Sequence, residues 1–126
     1  MATAAPRSRV IFLVDDDDDL RFTLGLALRD AGFEVEEFAN ARAALTAAEA
    51  RPPGALLLDY YVEGMDAEQL VSTLRAHGLN HVPVVLLTGN SDVREIAKRL
   101  GVFGWLAKPF ELDALIERAT AALQQP

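Results

Sequence analysis

Apolar and polar residues are grouped in blocks along this chain, and the blocks alternate between two periods. Val10-Ile11-Phe12-Leu13-Val14 is a continuous apolar run that stops abruptly at carboxylates, the pattern of a strand buried on both faces. Leu20, Leu24, Ala27, Leu28 and Ala31 then recur at helical spacing until Gly32, where a glycine suits a helix end. Phe33 to Phe38 alternates apolar residues with Glu34, Glu36 and Glu37. That alternation predicts an edge strand with a wet face carrying the acids. Asn40 is placed to cap an Ala-rich helix over Ala41 to Ala50, which Pro52-Pro53-Gly54 terminates.

The second half repeats the scheme. Ala55-Leu56-Leu57-Leu58 is a third buried strand ending at Asp59, and a loop leads to a helix carrying Leu70 and Leu74. Val84-Val85-Leu86-Leu87 forms a fourth strand ending at Thr88. Ser91 can cap the next helix, whose Val93, Ile96, Ala97 and Leu100 share one face and which Gly101 closes. Trp105-Leu106-Ala107 is a short last strand, followed by Lys108-Pro109 and a helix striped by Leu112, Leu115, Ile116, Ala119 and Leu123. Strict alternation of strands and helices predicts an α/β fold, a doubly wound parallel sheet with helices on both faces. Ligands in such sheets sit beyond the carboxyl ends of the strands.

At 126 residues, 51% of them hydrophobic, the chain suits one domain with one core that needs no staples. Residues 1–9 read as a disordered lead-in, 10–124 as the domain, and 125–126 as a tail or the start of a linker. With no Cys, disulfides, thiolate metal sites and a cysteine nucleophile are excluded. Twelve Lys+Arg against nineteen Asp+Glu give a net charge of −7 without a basic run, which argues against direct nucleic acid binding. No apolar run approaches the ~20 residues of a membrane span and the first residues lack a signal-peptide core, so a cytoplasmic location without membrane contact is expected.

The strand ends supply the candidate chemistry. Asp15 and Asp16 follow the first strand, Asp59 the third, Thr88 the fourth and Lys108 the fifth, and the fold converges them on one rim. Carboxylates ~4 Å apart repel by about 4 kcal/mol at an effective dielectric of ~20, so three together require a cation. A donor set of oxygens alone points to Mg2+, with Mn2+ as a substitute. Lys108 and Thr88 add a positive charge and a hydroxyl donor, which suit a tetrahedral anion. A carboxylate beside both can accept a phosphoryl group. Asp17 to Asp19 read as a solvated acidic run that favours the positive end of a helix. His77 and His81 read as surface loop residues.

These residues together resemble the receiver domain of two-component response regulators. The matching stretches are Val14-Asp15-Asp16 with Leu20-Arg21, Leu56-Leu57-Leu58-Asp59 with Gly64-Met65-Asp66, Val85-Leu86-Leu87-Thr88-Gly89, and Gly101 with Trp105-Leu106-Ala107-Lys108-Pro109-Phe110. The resemblance runs from Val10 to about Leu123 and implies the flavodoxin-like fold with strand order 2-1-3-4-5. It implies Asp59 as phosphoacceptor from a sensor histidine kinase or histidine phosphotransfer protein. Asp16 would bind the metal directly and Asp15 largely through water, with Asp59 and the backbone carbonyl of Tyr61 completing the set. Lys108 would pair with a phosphoryl oxygen, Thr88 would swing its hydroxyl toward the phosphate, and Gly89 would leave room for the group. Trp105 stands at the switch position. The reading implies no enzyme beyond self-phosphorylation and autodephosphorylation. It also implies a downstream effector or fused output domain, and admits a homodimer through the face of the fourth helix, fifth strand and fifth helix.

Four residues depart from the family pattern: Glu63 for proline, Ala67 for glycine, a bulky Tyr61 at the site entrance, and Trp105 for tyrosine or phenylalanine. Tyr61, with Asn90 bordering the same entrance, is expected to shield the acyl phosphate. The Lys108-Pro109 bond is expected to be cis and Trp105 to be partly exposed. Two other readings stay open, a pseudoreceiver that only binds partners and a Mg2+-dependent phosphatase. The complete set of acids, Thr88 and Lys108 argues against the first, and the short loops leave the second no room for a general acid or substrate cap.

Overall fold

Each apolar run becomes a strand. The structure, a computed structural model, describes residues 8–62, 65–89 and 91–125. The expectations for the lead-in up to residue 7, for Glu63, Gly64 and Asn90, and for Pro126 lie outside the described residues. Within them five strands alternate with five helices: β1 (Val10–Val14), α1 (Asp18–Asp30), β2 (Glu34–Phe38), α2 (Ala41–Ala50), β3 (Ala55–Asp59), α3 (Ala67–Ala76), β4 (Val84–Thr88), α4 (Val93–Leu100), β5 (Gly104–Ala107) and α5 (Leu112–Leu123). All strand pairs are parallel and the order is β2-β1-β3-β4-β5, the doubly wound arrangement expected, with β2 at an edge. No helix among the described residues is long and apolar enough to cross a membrane.

Strand periodicity divides the core in two. Phe12, Val14, Leu56, Leu58, Val84 and Leu86 pack with residues of α2, α3 and α4 on one face. Ile11, Leu13, Leu57, Val85, Leu87 and Leu106 pack with residues of α1 and α5 on the other. Leu57, Leu58, Leu86 and Leu87 lose all solvent contact, so truncating any one to alanine would cost about 2–5 kcal/mol. This two-sided anchoring fixes the strand ends that carry the polar residues.

Helix ends follow their caps. Asn40 Oδ1 accepts from the Ala43 amide at 2.8 Å, and Gly101 closes α4 with φ +67°, a left-handed conformation that favours glycine. Asp92, rather than the expected Ser91, occupies the N-cap of α4. Both residue types can cap, and the helix simply begins one residue later. Leu112, expected in the buried stripe of α5, is 43% exposed because it stands at the first turn, beyond the residues that reach the sheet.

The amino ends of the strands form the opposite pole. There the Ser8 hydroxyl accepts from the Val10 amide at 3.1 Å. A Cβ on Gly54 would lie 2.1 Å from the Ser8 carbonyl oxygen and 2.7 Å from the Leu123 side chain, so only glycine permits that crossing. Gln125 lies beside His81, Val82 and Pro83 at the same pole.

Candidate functional site

Three strands deliver the acids and their cation to one place. Asp15, directly after β1, is fully buried. Its amide donates to the Phe38 carbonyl at 3.1 Å, and its Oδ1 accepts from the Asp17 amide at 2.9 Å. Asp59, the last residue of β3, keeps 8% exposure. Its Oδ1 accepts from the Tyr61 amide at 3.3 Å and its Oδ2 from Lys108 Nζ at 3.2 Å. Lys108 Nζ also reaches Asp15 Oδ2 at 3.5 Å, so one ammonium bridges two carboxylates from different strands.

Asp16 is exposed, yet it offers an oxygen that lies with those of Asp15 and Asp59 inside a cluster whose members are within 4.8 Å of one another. Three carboxylates against one ammonium leave two uncompensated negative charges. Burial pushes the Asp59 carboxyl above its ordinary range; Lys108 opposes that rise and the Asp15 charge adds to it. An all-oxygen set with a charge deficit of this size fits a hard divalent cation.

Thr88, 1% exposed, ends β4 beside the cluster. Its carbonyl accepts from the Lys108 amide at 2.8 Å, tying the backbones of the two residues together. The Lys108-Pro109 peptide is cis, as expected. A Cβ placed on Gly89 would meet nothing within 4 Å among the described residues, so a larger side chain would also fit the backbone there.

Residues 11–120 match the response regulator receiver domain. The chain belongs to that family. It is 34% identical over 122 residues to the DNA-binding transcriptional regulator NtrC of Salmonella typhimurium, covering 92% of this chain and 26% of that protein. It is 36% identical over 127 residues to the transcriptional regulatory protein PrrA of Mycobacterium tuberculosis, covering 99% of this chain and 54% of that one. The receiver therefore spans about a quarter to just over half the length of these curated relatives. Among solved structures, a putative response regulator from Chloroflexus aurantiacus superposes with a TM-score of 0.85 at 32% identity, over 93% of this chain and 98% of that one. The receiver domain of NtrX from Brucella abortus gives 0.84 at 31% identity, over 92% and 99%.

The receiver brings together Asp15, Asp16, Asp59 and Lys108, with Thr88 at the adjoining strand end. Tyr61 adjoins through its amide; the residue is 61% exposed, and its ring meets Tyr60 edge-on at 4.8 Å. Trp105 is half-buried, as expected, and packs on the sheet face of α2 to α4. It pairs in register with Leu86, two residues before Thr88, so Thr88 and Trp105 share that face. Ala67 opens α3, and no described residue other than glycine has positive φ, so losing glycine there is harmless.

The structure adds to two sequence readings and brings out one residue the sequence left without a role. Asp17 is more than a solvated acid, for its Oδ1 accepts from the Leu20 amide at 3.1 Å and caps α1. Glu36 and Glu37 are not merely a wet face: Arg51 pairs with Glu36, and Arg29 with Glu37 at 2.7 Å. Arg21, noted only as part of a family motif, donates to the Asp15 carbonyl at 2.7 Å. An arginine one helical turn after an acidic run was the available signal.

Proposed function

We propose that this receiver accepts a phosphoryl group on Asp59 from the phosphohistidine of a sensor histidine kinase or phosphotransfer protein, with Mg2+ bound, and signals through a change of surface. The observation that carries this reading is the buried Asp59 carboxylate held 3.2 Å from Lys108 within an acid cluster whose oxygens lie close enough to hold a metal ion. Asp15, Asp16 and Asp59 would hold the metal, with the Tyr61 carbonyl as the remaining protein ligand. When bound, the ion supplies neutralisation of the negative charge shared by the acids and the incoming phosphoryl oxygens.

The residues of the chain do the rest. An Asp59 oxygen attacks phosphorus in line as the P–N bond to the donor imidazole breaks. Lys108 leaves its carboxylate partner to pair with a phosphoryl oxygen, and the Thr88 hydroxyl donates to another. Positioning and charge compensation account for the acceleration. Thr88 moving inward leaves space on the face it shares with Trp105, and the indole moving to fill it reshapes the surface of α4, β5 and α5. That surface would meet an effector, a fused output domain or a second copy, in the cytoplasm.

Acetyl phosphate with Mg2+ tests the reading. Intact mass should rise by one phosphoryl group in the wild type and not in Asp59→Asn. An unmodified wild type that also ignores beryllofluoride would leave a pseudoreceiver.

A further inference from the structure

Asp16 is the one member of the acid cluster whose carboxylate no hydrogen bond or ion pair holds among the described residues. With no side-chain partner, only its Cα–Cβ direction is fixed, by the backbone, and the peptide unit that precedes it is tied to Arg21. The guanidinium donates from Nη1 to the Asp15 carbonyl at 2.7 Å, the oxygen of the peptide unit that joins Asp15 to Asp16. Its other nitrogens reach Asp18 Oδ1 at 2.7 Å and Glu37 Oε1 at 3.6 Å. The side chain is only 16% exposed.

The seat for this guanidinium is built from distant positions. Glu37 lies on edge strand β2, opposite Leu13 of β1, and Arg29 fixes its carboxylate from the other side at 2.7 Å while donating to the Val35 carbonyl at 3.0 Å. Gly25, buried in the middle of α1, makes the room: a Cβ there would lie 2.7 Å from Glu37 Oε2 and 3.2 Å from Arg29 Nη1. Glycine inside a helix costs about 1 kcal/mol against alanine, and the place it leaves is filled by the acid that anchors Arg21.

We propose that Arg21 is a positioning residue for the acid cluster, holding the Asp15–Asp16 peptide so that Asp16 faces the cation, with Glu37 and Gly25 forming its seat. The inference rests on the reading that Asp15, Asp16 and Asp59 bind a divalent cation. Residues that brace a metal ligand from behind typically change affinity by about tenfold or more.

Titration with MgCl2, followed by amide NMR of Asp16 and Asp17 well below the unfolding temperature, tests it. Arg21→Met should weaken Mg2+ binding by about tenfold. Arg21→Lys, able to reach the carbonyl but not to span all three partners, should fall between it and wild type. Gly25→Ala is the second variant. The new methyl displaces the flexible ends of Glu37 and, by less, Arg29, while alanine favours the helix over glycine by about 1 kcal/mol, so it should weaken Mg2+ binding with little net change in stability, as should Glu37→Gln. An arginine that served only to tie α1 to β2 would lower stability and leave Mg2+ affinity alone. If wild type binds Mg2+ while Arg21→Met and Gly25→Ala bind it equally well, the inference is overturned and the proposed function stands. If wild type itself binds no Mg2+, both are overturned.

Discussion

Replacing Lys108 by methionine removes one charge while keeping a long apolar stem. Lys108 Nζ lies 3.2 Å from Asp59 and 3.5 Å from Asp15, worth about 5 kcal/mol of gross attraction each at an effective dielectric of ~20. The acids repel one another across at most 4.8 Å, by roughly 3–4 kcal/mol per pair on the same scale. Desolvation offsets most of the attraction, and the Lys108 side chain is one quarter exposed. The net loss then falls between that of exposed pairs, about 0.2–1 kcal/mol, and of a broken buried pair, about 3–5 kcal/mol. We expect about 2 kcal/mol in EDTA, which for a domain of this size lowers Tm by about 8 °C.

The sign with metal is opposite. A site that has lost a positive charge binds Mg2+ more tightly, so Mg2+ should stabilise Lys108→Met more than wild type. The pH dependence also has a definite sign. Lys108 holds down the Asp59 pKa, which burial already raises. A carboxyl whose folded pKa is raised loses stability as pH rises from its ordinary 3.8 through the folded value, so the deficit of the variant should be no smaller at pH 8 than at pH 5 and should grow as pH rises. Thermal and urea unfolding in EDTA and in MgCl2 at both pH values measure all three effects. Equal Mg2+ stabilisation of variant and wild type would refute the electrostatic account.

Three further outcomes are expected. Tyr61→Ala should speed decay of the phosphorylated receiver several-fold, read by intact mass over time; an unchanged or slower decay would reject shielding by the ring. Beryllofluoride with Mg2+ should change Trp105 fluorescence and its quenching by acrylamide, and Thr88→Ala should weaken the change; an unaltered signal in a sample with proven binding at Asp59 would exclude a switch between the two. At the edge strand, Arg51 holds the Glu36 pKa below its ordinary 4.5 through their hydrogen bond. The pair stabilises the fold above that value and loses its effect as pH falls through the lowered pKa, so the urea midpoint of wild type should exceed that of Glu36→Gln at pH 7, and the gap should close in acid.

What could be read from the sequence was whatever depends on one strand at a time. A run such as Leu56-Leu57-Leu58 must be buried on both faces, so Asp59 is carried to the rim with no knowledge of its neighbours, and the same holds for Asp15, Thr88 and Lys108. The Arg21, Gly25 and Glu37 assembly has no such local cause. It depends on how α1 lies across β2, and an alternating strand such as Glu34 to Phe38 looks alike whether its acids meet water or arginines. Ser91 and Asp92 show a smaller limit: two adjacent residues of equal capping ability do not say which begins the helix.

The two poles of the sheet have a practical meaning for anyone attaching something to this domain. Ser8 and Gln125 both emerge at the amino ends of the strands, whereas Asp59 lies at the carboxyl ends, about 15 Å away along a five-residue strand. A fluorophore or a surface tether attached at Ser8 or Gln125 starts from the pole opposite Asp59. A change at the Asp59 carboxylate must cross the length of the packed strands and helices to be felt at that pole.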